Sequence, residues 1–368
     1  MNKFFTNVLL LSALSLSAFA QEIKEDFKPS TKNQPGQEYP MVNSQGYGRF
    51  RVVAPNAQSV VCTLGLGGAK GGTELVKDEN GVWTGTTAAP MDEGFHYYHY
   101  IVDGGVFNDP GANNYFGSCR WESGIEIPAH DADFYAERDV PHGNVQQVLF
   151  WSKQTNSLRR AFVYTPPTYG QDPTKRYPVL YLQHGWGEDE TAWSNQGHCN
   201  LIMDNLIADG KIEPFIIVMT YGMTNELKWG HMHEFDIMPF QTVLCDELVP
   251  YVDSHFNTIA DKQHRAMAGL SMGGMETHTI TLNRPEMFSR YGLLSGGIYT
   301  PAEIKDKSQV DLIFISCGSK EMPDRVKSAV EDLQKAGHNA VSYVSEGTAH
   351  EFLTWRRSLY QLAQILFK

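Results

Sequence analysis

The chain is short of positive charge, of cysteine and of long apolar runs. Its 30 Lys and Arg stand against 42 Asp and Glu, a formal net charge of −12. That balance excludes a broad basic footprint for nucleic acid or for an anionic membrane surface, and it favours a neutral partner. The five cysteines, Cys62, Cys119, Cys199, Cys245 and Cys317, show no zinc-ligand spacing. Cys62 and Cys119 fall in the same half and are a candidate pair; buried free thiols are the alternative. The apolar stretch Val8–Leu16 is too short to span a bilayer. With Lys3 before it and Ala18-Phe19-Ala20 after it, residues 1–20 read as a signal peptide cleaved after Ala20. The expectation is a secreted or periplasmic protein. No cysteine follows the cleavage point, so no membrane anchor is expected. No internal repeat or low-complexity tract is visible.

What is present is ordinary globular composition, 42% hydrophobic and 20% charged over 368 residues, enough for two domains. Residues 21–38 are polar, with Pro and Lys, and read as a flexible leader. Residues 39–129 read as all-β. Arg49–Val53, Ser59–Leu64, Gly81–Thr86 and Phe95–Val102 are short strands broken by Gly turns, the pattern of an immunoglobulin-like sandwich. Residues 130–145 are a polar connector. From 146 to 368 β and α signals alternate. Strands are expected at Arg160–Tyr164, Pro178–Gln183, Phe215–Thr220, His264–Leu270, Tyr291–Leu294, Leu312–Ser316 and Ala340–Ser345. Helices are expected at Asn200–Ala208, Phe240–His255, Gly274–Asn283 and Glu321–Ala336. This is a mainly parallel sheet covered on both faces, an α/β fold.

Within it, Gly269-Leu270-Ser271-Met272-Gly273 is a G-x-S-x-G pentapeptide between an expected strand and an expected helix. At ordinary Gly and Ser usage about one chain in ten of this length carries the pattern by accident. The strand–turn–helix context is what makes it a nucleophile elbow, with Ser271 lifted above the sheet edge. A serine nucleophile needs a base, and the base needs an orienting acid. In α/β-hydrolases these follow the serine in the order acid, then histidine. Two histidines remain beyond Ser316. His338 lies in a helix-to-strand turn, at the wrong edge of the sheet. His350 follows the C-terminal end of the last strand, the edge that carries the elbow, and is the candidate base. Glu321 is the candidate acid and Asp324 the alternative. The oxyanion hole needs two backbone N–H groups, and Met272 and Trp186 are the candidates, Trp186 from the loop His184-Gly185-Trp186-Gly187. His184 precedes the serine and reads as a loop-positioning residue. His231 and His233, in Trp229–Phe235, alternate without a third ligand, so no metal and no cofactor is expected. They read instead as part of an aromatic, Met-rich loop over the elbow. Candidate substrate contacts are His184, Gly185, Trp193, His231 and His233.

Several of these runs carry a resemblance. Tyr98-x-Tyr100-x-Val102-Asp103-Gly104 with Asn108-Asp109-Pro110 resembles the early-set immunoglobulin-like domains of glycan-active enzymes. His184–Glu190, Trp193, Asp204–Ile207, Arg265–Gly274 and His350-Glu351-Phe352-x-x-Trp355-Arg356 resemble carbohydrate esterase family 1. The resemblance implies an α/β-hydrolase domain behind an all-β sandwich. It also implies a serine feruloyl esterase whose partner is feruloylated arabinoxylan or its oligosaccharides. The family's acid is usually Asp at the position where this chain has Glu321. Two other esterases, an acetyl xylan esterase and an enterobactin-type siderophore esterase, are the alternatives. A non-catalytic glycan-binding protein is a third, disfavoured by the intact Ser271, His350 and Gly-rich loop.

Overall fold

The computed structural model describes residues 22–64, 72–225, 228 and 230–368. The expected signal peptide and Trp229 lie outside the described residues. Among them, the first unit holds β1 (Lys28–Pro29), β2 (Met41–Val42), β3 (Gly48–Val53), β4 (Val60–Leu64), β5 (Thr73–Glu74), β6 (Val76–Lys77), β7 (Val82–Thr86), β8 (Gly94–Val102), β9 (Gly105–Phe107), β10 (Asn114–Gly117) and β11 (Arg120–Ile127). One sheet runs β1-β2-β3-β7-β6; the other runs β10-β11-β8-β4-β5 with β9 beside β8. Phe50, Trp83, Tyr98, Tyr100 and Ile125 fill the space between them. The alternating aromatics of β8 are therefore buried on both faces. Tyr98 and Tyr100 point into the sandwich, where both hydroxyls donate to the buried carboxylate of Asp109 (2.7 and 2.8 Å). Phe95 and Tyr97 point the other way and join the core of the second unit.

One expectation and one candidate pairing fail here. The leader expected over 21–38 is part of the fold from Glu22 on. Its β1 pairs with β2, Glu25 makes a two-pronged ion pair with Arg49 (2.8 and 2.9 Å), and the Ser30 N–H donates to the Pro40 carbonyl (2.9 Å). Its polar composition is satisfied by partners far along the chain. Cys62 and Cys119 do not pair either: Cys62 is buried in the sandwich core, Cys119 sits on the β10–β11 turn, and all five thiols are free.

The second unit is an eight-stranded sheet. It holds β12 (Asn144–Ser152), β13 (Ser157–Thr165), β14 (Val179–Gln183), β15 (Ile216–Thr220), β16 (Arg265–Leu270), β17 (Arg290–Leu294), β18 (Leu312–Gly318) and β19 (Ala340–Ser345). The order is β12-β13-β15-β14-β16-β17-β18-β19, antiparallel for the first three and parallel from β15 to β19. Each central strand is mostly apolar because each buries both faces. In β14, Leu180 and Leu182 enter one core and Val179 and Tyr181 the other. The first face is covered by α2 (Cys199–Ala208), preceded by the short α1 (Ala192–Asn195), and later by α7 (Phe352–Leu366). The second is covered by α3 (Met238–Thr242) and α4 (Val249–His255), joined by a π-helical segment Val243–Leu248. The π segment runs into Pro250, which has no N–H to continue the α ladder. α5 (Met272–Asn283) and α6 (Pro323–Lys335) complete the second face, and α7 (Phe352–Leu366) closes the chain. No helix among the described residues is long and apolar enough to cross a membrane.

The two units are locked together. Phe95 and Tyr97 pack edge-on against Phe352, and a Cβ on Gly94 would meet the Leu353 Cβ at 2.8 Å. Arg356, fully buried on α7, forms two charged hydrogen bonds to Glu126 on β11 (2.5 and 3.1 Å) and donates to the Gln196 carbonyl. Burial alone would raise the Glu126 pKa, but Arg356 and Lys32 hold it below the usual carboxylate value. Breaking such a pair strands a buried charge. Glu126→Ala is expected to destabilise the protein by about 3–5 kcal/mol, read as a drop in the urea midpoint with the slope unchanged. A shift within error would mean that water reaches Arg356.

Candidate active site

The site lies at the C-terminal edge of the parallel strands, where strand order reverses around β14. Ser271 follows β16 and caps α5 with φ 51° and ψ −117°, a conformation L residues seldom adopt. The turn is held by close backbone packing. A Cβ on Gly269 would lie 2.3 Å from the Gly273 carbonyl, and one on Gly273 would lie 2.5 Å from the His184 carbonyl oxygen. Only glycine permits both approaches.

A continuous hydrogen-bonded chain runs from the serine. His350 Nε2 lies 2.9 Å from Ser271 Oγ, and His350 Nδ1 lies 2.8 Å from Glu321 Oε1. The second oxygen of Glu321 accepts from Ser295 Oγ (2.7 Å) and from the Gly318 N–H (2.6 Å). Ser295 Oγ in turn accepts from the Trp355 indole N–H (3.1 Å), whose ring stands edge-on to His350 at 5.1 Å. Burial works to raise the Glu321 pKa, yet the hydrogen bonds from His350, Gly318 and Ser295 hold it below the usual value. The carboxylate is thus charged and aimed at Nδ1, which leaves Nε2 free to accept a proton from Ser271. Asp324 is not part of this chain: it is exposed on the first turn of α6.

The loop after β14 passes beside the serine. A Cβ on Gly185 would be 2.6 Å from Leu270 Cδ1 and 3.4 Å from Ser271 Cβ, so the backbone leading to Trp186 runs alongside the hydroxyl. Met272 is the first residue of α5, and an N–H there has no partner within its own helix. The Trp186 ring stands edge-on to Phe235 at 6.0 Å, which brings the 231–235 segment to the site.

The remaining candidate contacts divide. His184 is buried, donating from Nδ1 to the Gly185 carbonyl (2.8 Å) and accepting from the Gly222 N–H at Nε2 (3.1 Å). Burial pushes its pKa down, so it is a neutral strut between two loops, and neither nitrogen is free for substrate. Trp193 is buried too, its indole N–H held by the Gln183 carbonyl (2.8 Å), which makes it a core residue rather than a substrate contact. His231 is exposed and paired to Glu234 (2.8 Å), with the exposed His233 stacked on it at 6.0 Å. Neither makes a described contact with the triad.

Several residues that received no role in the sequence analysis hold the candidate oxyanion loop. Glu188 accepts from the Gly185 N–H (3.0 Å) and from Tyr97 Oη of the β-sandwich (3.2 Å). Gln196 donates to the same Tyr97 hydroxyl (2.7 Å), and the Cys119 N–H donates to the Gly187 carbonyl (3.0 Å). On the far side Arg159 donates to the carbonyls of Tyr221 and Met223. The buried Glu276 carboxyl lies so near Gly222 that a Cβ there would be 2.4 Å away.

Burial pushes Glu188 up to about 7 from 4.5. A raised folded-state pKa means the neutral form's contribution is complete below pH 4.5 and is lost as pH rises through about 7. The loss is on the order of 3 kcal/mol. Glu351, also pushed up to about 7 by burial, titrates in the same window. Comparison with Glu188→Gln cancels it. The Tm advantage of the wild type over Glu188→Gln is expected to shrink between pH 4.5 and 8. A constant difference would mean Glu188 does not titrate there.

Fold and site geometry define an α/β-hydrolase. Within that class the chain belongs to the Esterase family, whose model matches residues 152–364. It is 65% identical over 349 residues to a protein of Xylanibacter ruminicola named endo-1,4-beta-xylanase/feruloyl esterase, an overlap of 94% of this chain and 48% of that one. The chain thus spans about half the length of that curated relative. A solved ferulic acid esterase superposes with a TM-score of 0.54 at 27% identity, covering 61% of this chain and 98% of its own. The enterobactin esterase of Shigella flexneri gives 0.65 at 17% identity over 87% of this chain and 94% of its own, a likeness of fold that includes the sandwich.

Proposed function

We propose that the chain is a serine esterase that hydrolyses ferulate and related hydroxycinnamate esters on plant cell-wall arabinoxylan. The observation that carries this reading is the Ser271–His350–Glu321 chain beside a glycine-rich loop, in a chain 65% identical to a relative named for feruloyl esterase activity. Ser271 Oγ attacks the ester carbonyl carbon while His350 Nε2 takes its proton. The carbonyl oxygen becomes an oxyanion and receives the N–H groups of Trp186 and Met272. The C–O bond to the sugar then breaks, and His350 returns the proton to the departing sugar oxygen. Water, deprotonated by His350, releases ferulate from Ser271 by the reverse sequence. Glu321 keeps the imidazolium oriented and balanced in charge throughout. Export with cleavage after Ala20 belongs to the same reading, and Gln21 as the first residue of the mature protein is the result that would support it.

A siderophore esterase is the second reading, favoured by the two-domain likeness to the enterobactin esterase. Parallel product analysis on methyl ferulate, acetylated xylan and a catecholate siderophore separates the readings. Free ferulate as the dominant product supports the proposal. Dominant acetate or hydrolysed siderophore overturns it.

A further inference from the structure

Among the described residues the Trp186 N–H donates to no group, which leaves it open to an oxyanion. What aims it is the plane of its own peptide. The Gly185 carbonyl and the Trp186 N–H belong to one planar unit and point in opposite directions. The carbonyl is held from behind by His184 Nδ1–H (2.8 Å) and by the Glu188 N–H (3.3 Å). Fixing the carbonyl fixes the direction of the N–H.

His184 is held in turn by its other nitrogen. Nε2 accepts from the Gly222 N–H (3.1 Å), and the Tyr221 ring stacks on the imidazole at 5.7 Å. The place of Gly222 therefore decides where His184 stands. Arg159 closes the loop from the β13 side, with its guanidinium on the Tyr221 and Met223 carbonyls.

Against Gly222 lies Glu276, on α5 about one turn beyond Met272, the other proposed donor. Both carboxyl oxygens crowd the position of a Gly222 Cβ, at 2.4 and 2.9 Å. Gly222 has no left-handed φ, so the carboxyl, and not the backbone conformation, demands glycine there. Glu276 is 0% exposed, and neither oxygen has a hydrogen-bond partner among the described residues. Burying an unpaired carboxyl is costly, and local costs of this kind concentrate at functional sites. Burial pushes its pKa far up, so the group is neutral. A carboxylate against Gly222 would favour a protonated His184, whose Nε2 would then donate and could no longer accept from Gly222.

We infer that Glu276 is a positioning residue of the oxyanion hole. It seats Gly222, Gly222 holds His184, and His184 turns the Gly185–Trp186 peptide so that its N–H faces the oxyanion. The same helix carries the Met272 N–H, so one side chain sets the spacing of the two donors. The inference rests on the serine mechanism proposed above and not on which ester is natural.

Glu276→Ala, Glu276→Gln, Gly222→Ala and the double variant Gly222→Ala/Glu276→Ala are compared with wild type on p-nitrophenyl acetate and methyl ferulate, with rates normalised to titrated active sites. Glu276→Ala is expected to lower kcat on both esters by about 10–100-fold, less than removal of an oxyanion donor, with KM little changed. Glu276→Gln, neutral and of equal size, should restore kcat to within about threefold of wild type. Gly222→Ala drives a Cβ into the carboxyl and should lower kcat likewise. The double variant gives that Cβ room and should be faster than Gly222→Ala. Affinity for a trifluoromethyl ketone, which forms a tetrahedral oxyanion on Ser271, should fall in step with kcat. Methyl ferulate binding to the Ser271→Ala protein should not change when Glu276→Ala is added. A role in folding alone would lower Tm and the fraction of active sites without moving inhibitor affinity.

Should Glu276→Ala not fold, the Gln and Gly222→Ala variants carry the test. Wild-type kcat in Glu276→Ala or Gly222→Ala, a loss on one ester only, or a Gln variant as slow as the Ala variant would overturn the inference. So would a fallen kcat with inhibitor affinity unchanged, or a double variant slower than both singles. An active Ser271→Ala protein would instead sink the serine mechanism, whatever the Glu276 variants do.

Discussion

Replacement of Ser271 by alanine is expected to lower kcat by about 10⁴–10⁶ while leaving the protein folded. In the proposed mechanism the hydroxyl is the atom that attacks, and no neighbouring group replaces it: the other oxygens of the chain belong to Glu321, which faces Nδ1, and to Ser295, which faces Glu321. The backbone at φ 51° is held by the Gly269–Gly273 approach and by the Ser271 N–H bond to the Leu294 carbonyl (2.9 Å), neither of which uses the side chain. Tm should therefore change by no more than a degree or two. Turnover above a few per cent of wild type, in protein free of contaminating esterase, would refute a serine mechanism.

Glu321→Gln is expected to cost about 10³–10⁴ in kcat, with KM little changed. The two oxygens have opposed duties that an amide cannot share. If the amide oxygen faces His350, the NH₂ group meets the Ser295 hydroxyl and the Gly318 N–H, both placed as donors at 2.7 and 2.6 Å. If the amide turns over, its NH₂ faces Nδ1 and drives the imidazole proton to Nε2. That nitrogen then points an N–H at Ser271 and cannot take its proton. Asp324→Asn, exposed on α6, should remain within twofold of wild type. The opposite ranking in parallel kinetics would move the acid to Asp324. Stability carries the same signature. Because the Glu321 pKa is lowered in the folded state, its contribution is present above the ordinary carboxylate range and is lost on acidification. Glu321→Gln should lack that part of the acid sensitivity.

The elbow was legible because its cause is local. A strand, a strained serine and a helix follow one another in the chain, and the glycines that permit the turn stand beside it. His350 was legible through a rule of topology, that loops after parallel strands share one edge. Glu321 was legible as the first choice of acid, with Asp324 as the alternative, since both stand shortly after the Cys317-Gly318 turn. The fold separates them: Glu321 lies in the turn, where its carboxyl reaches back to the Gly318 N–H, and Asp324 lies on the helix beyond, turned to solvent. His184 fits its reading as a loop-positioning residue, but as substrate contacts His184 and Trp193 misled, because a polar ring in a motif looks the same whether its nitrogen meets substrate or a buried carbonyl.

The sequence by itself determined the order of elements, the faces of the central strands and the positions of the proposed nucleophile and base. Each of these depends on period, on turn chemistry or on chain order, which act over a few residues. Only the tertiary structure decided that residues 22–38 join the fold through β1, that Ser295 and Trp355 complete the acid's setting, and that Tyr97 and Glu188 brace the candidate oxyanion loop. The last pair lies 91 residues apart in sequence. Contacts over such separations follow from how two apolar surfaces fit once the whole chain is folded, and that fit is a property of shape that no local pattern records.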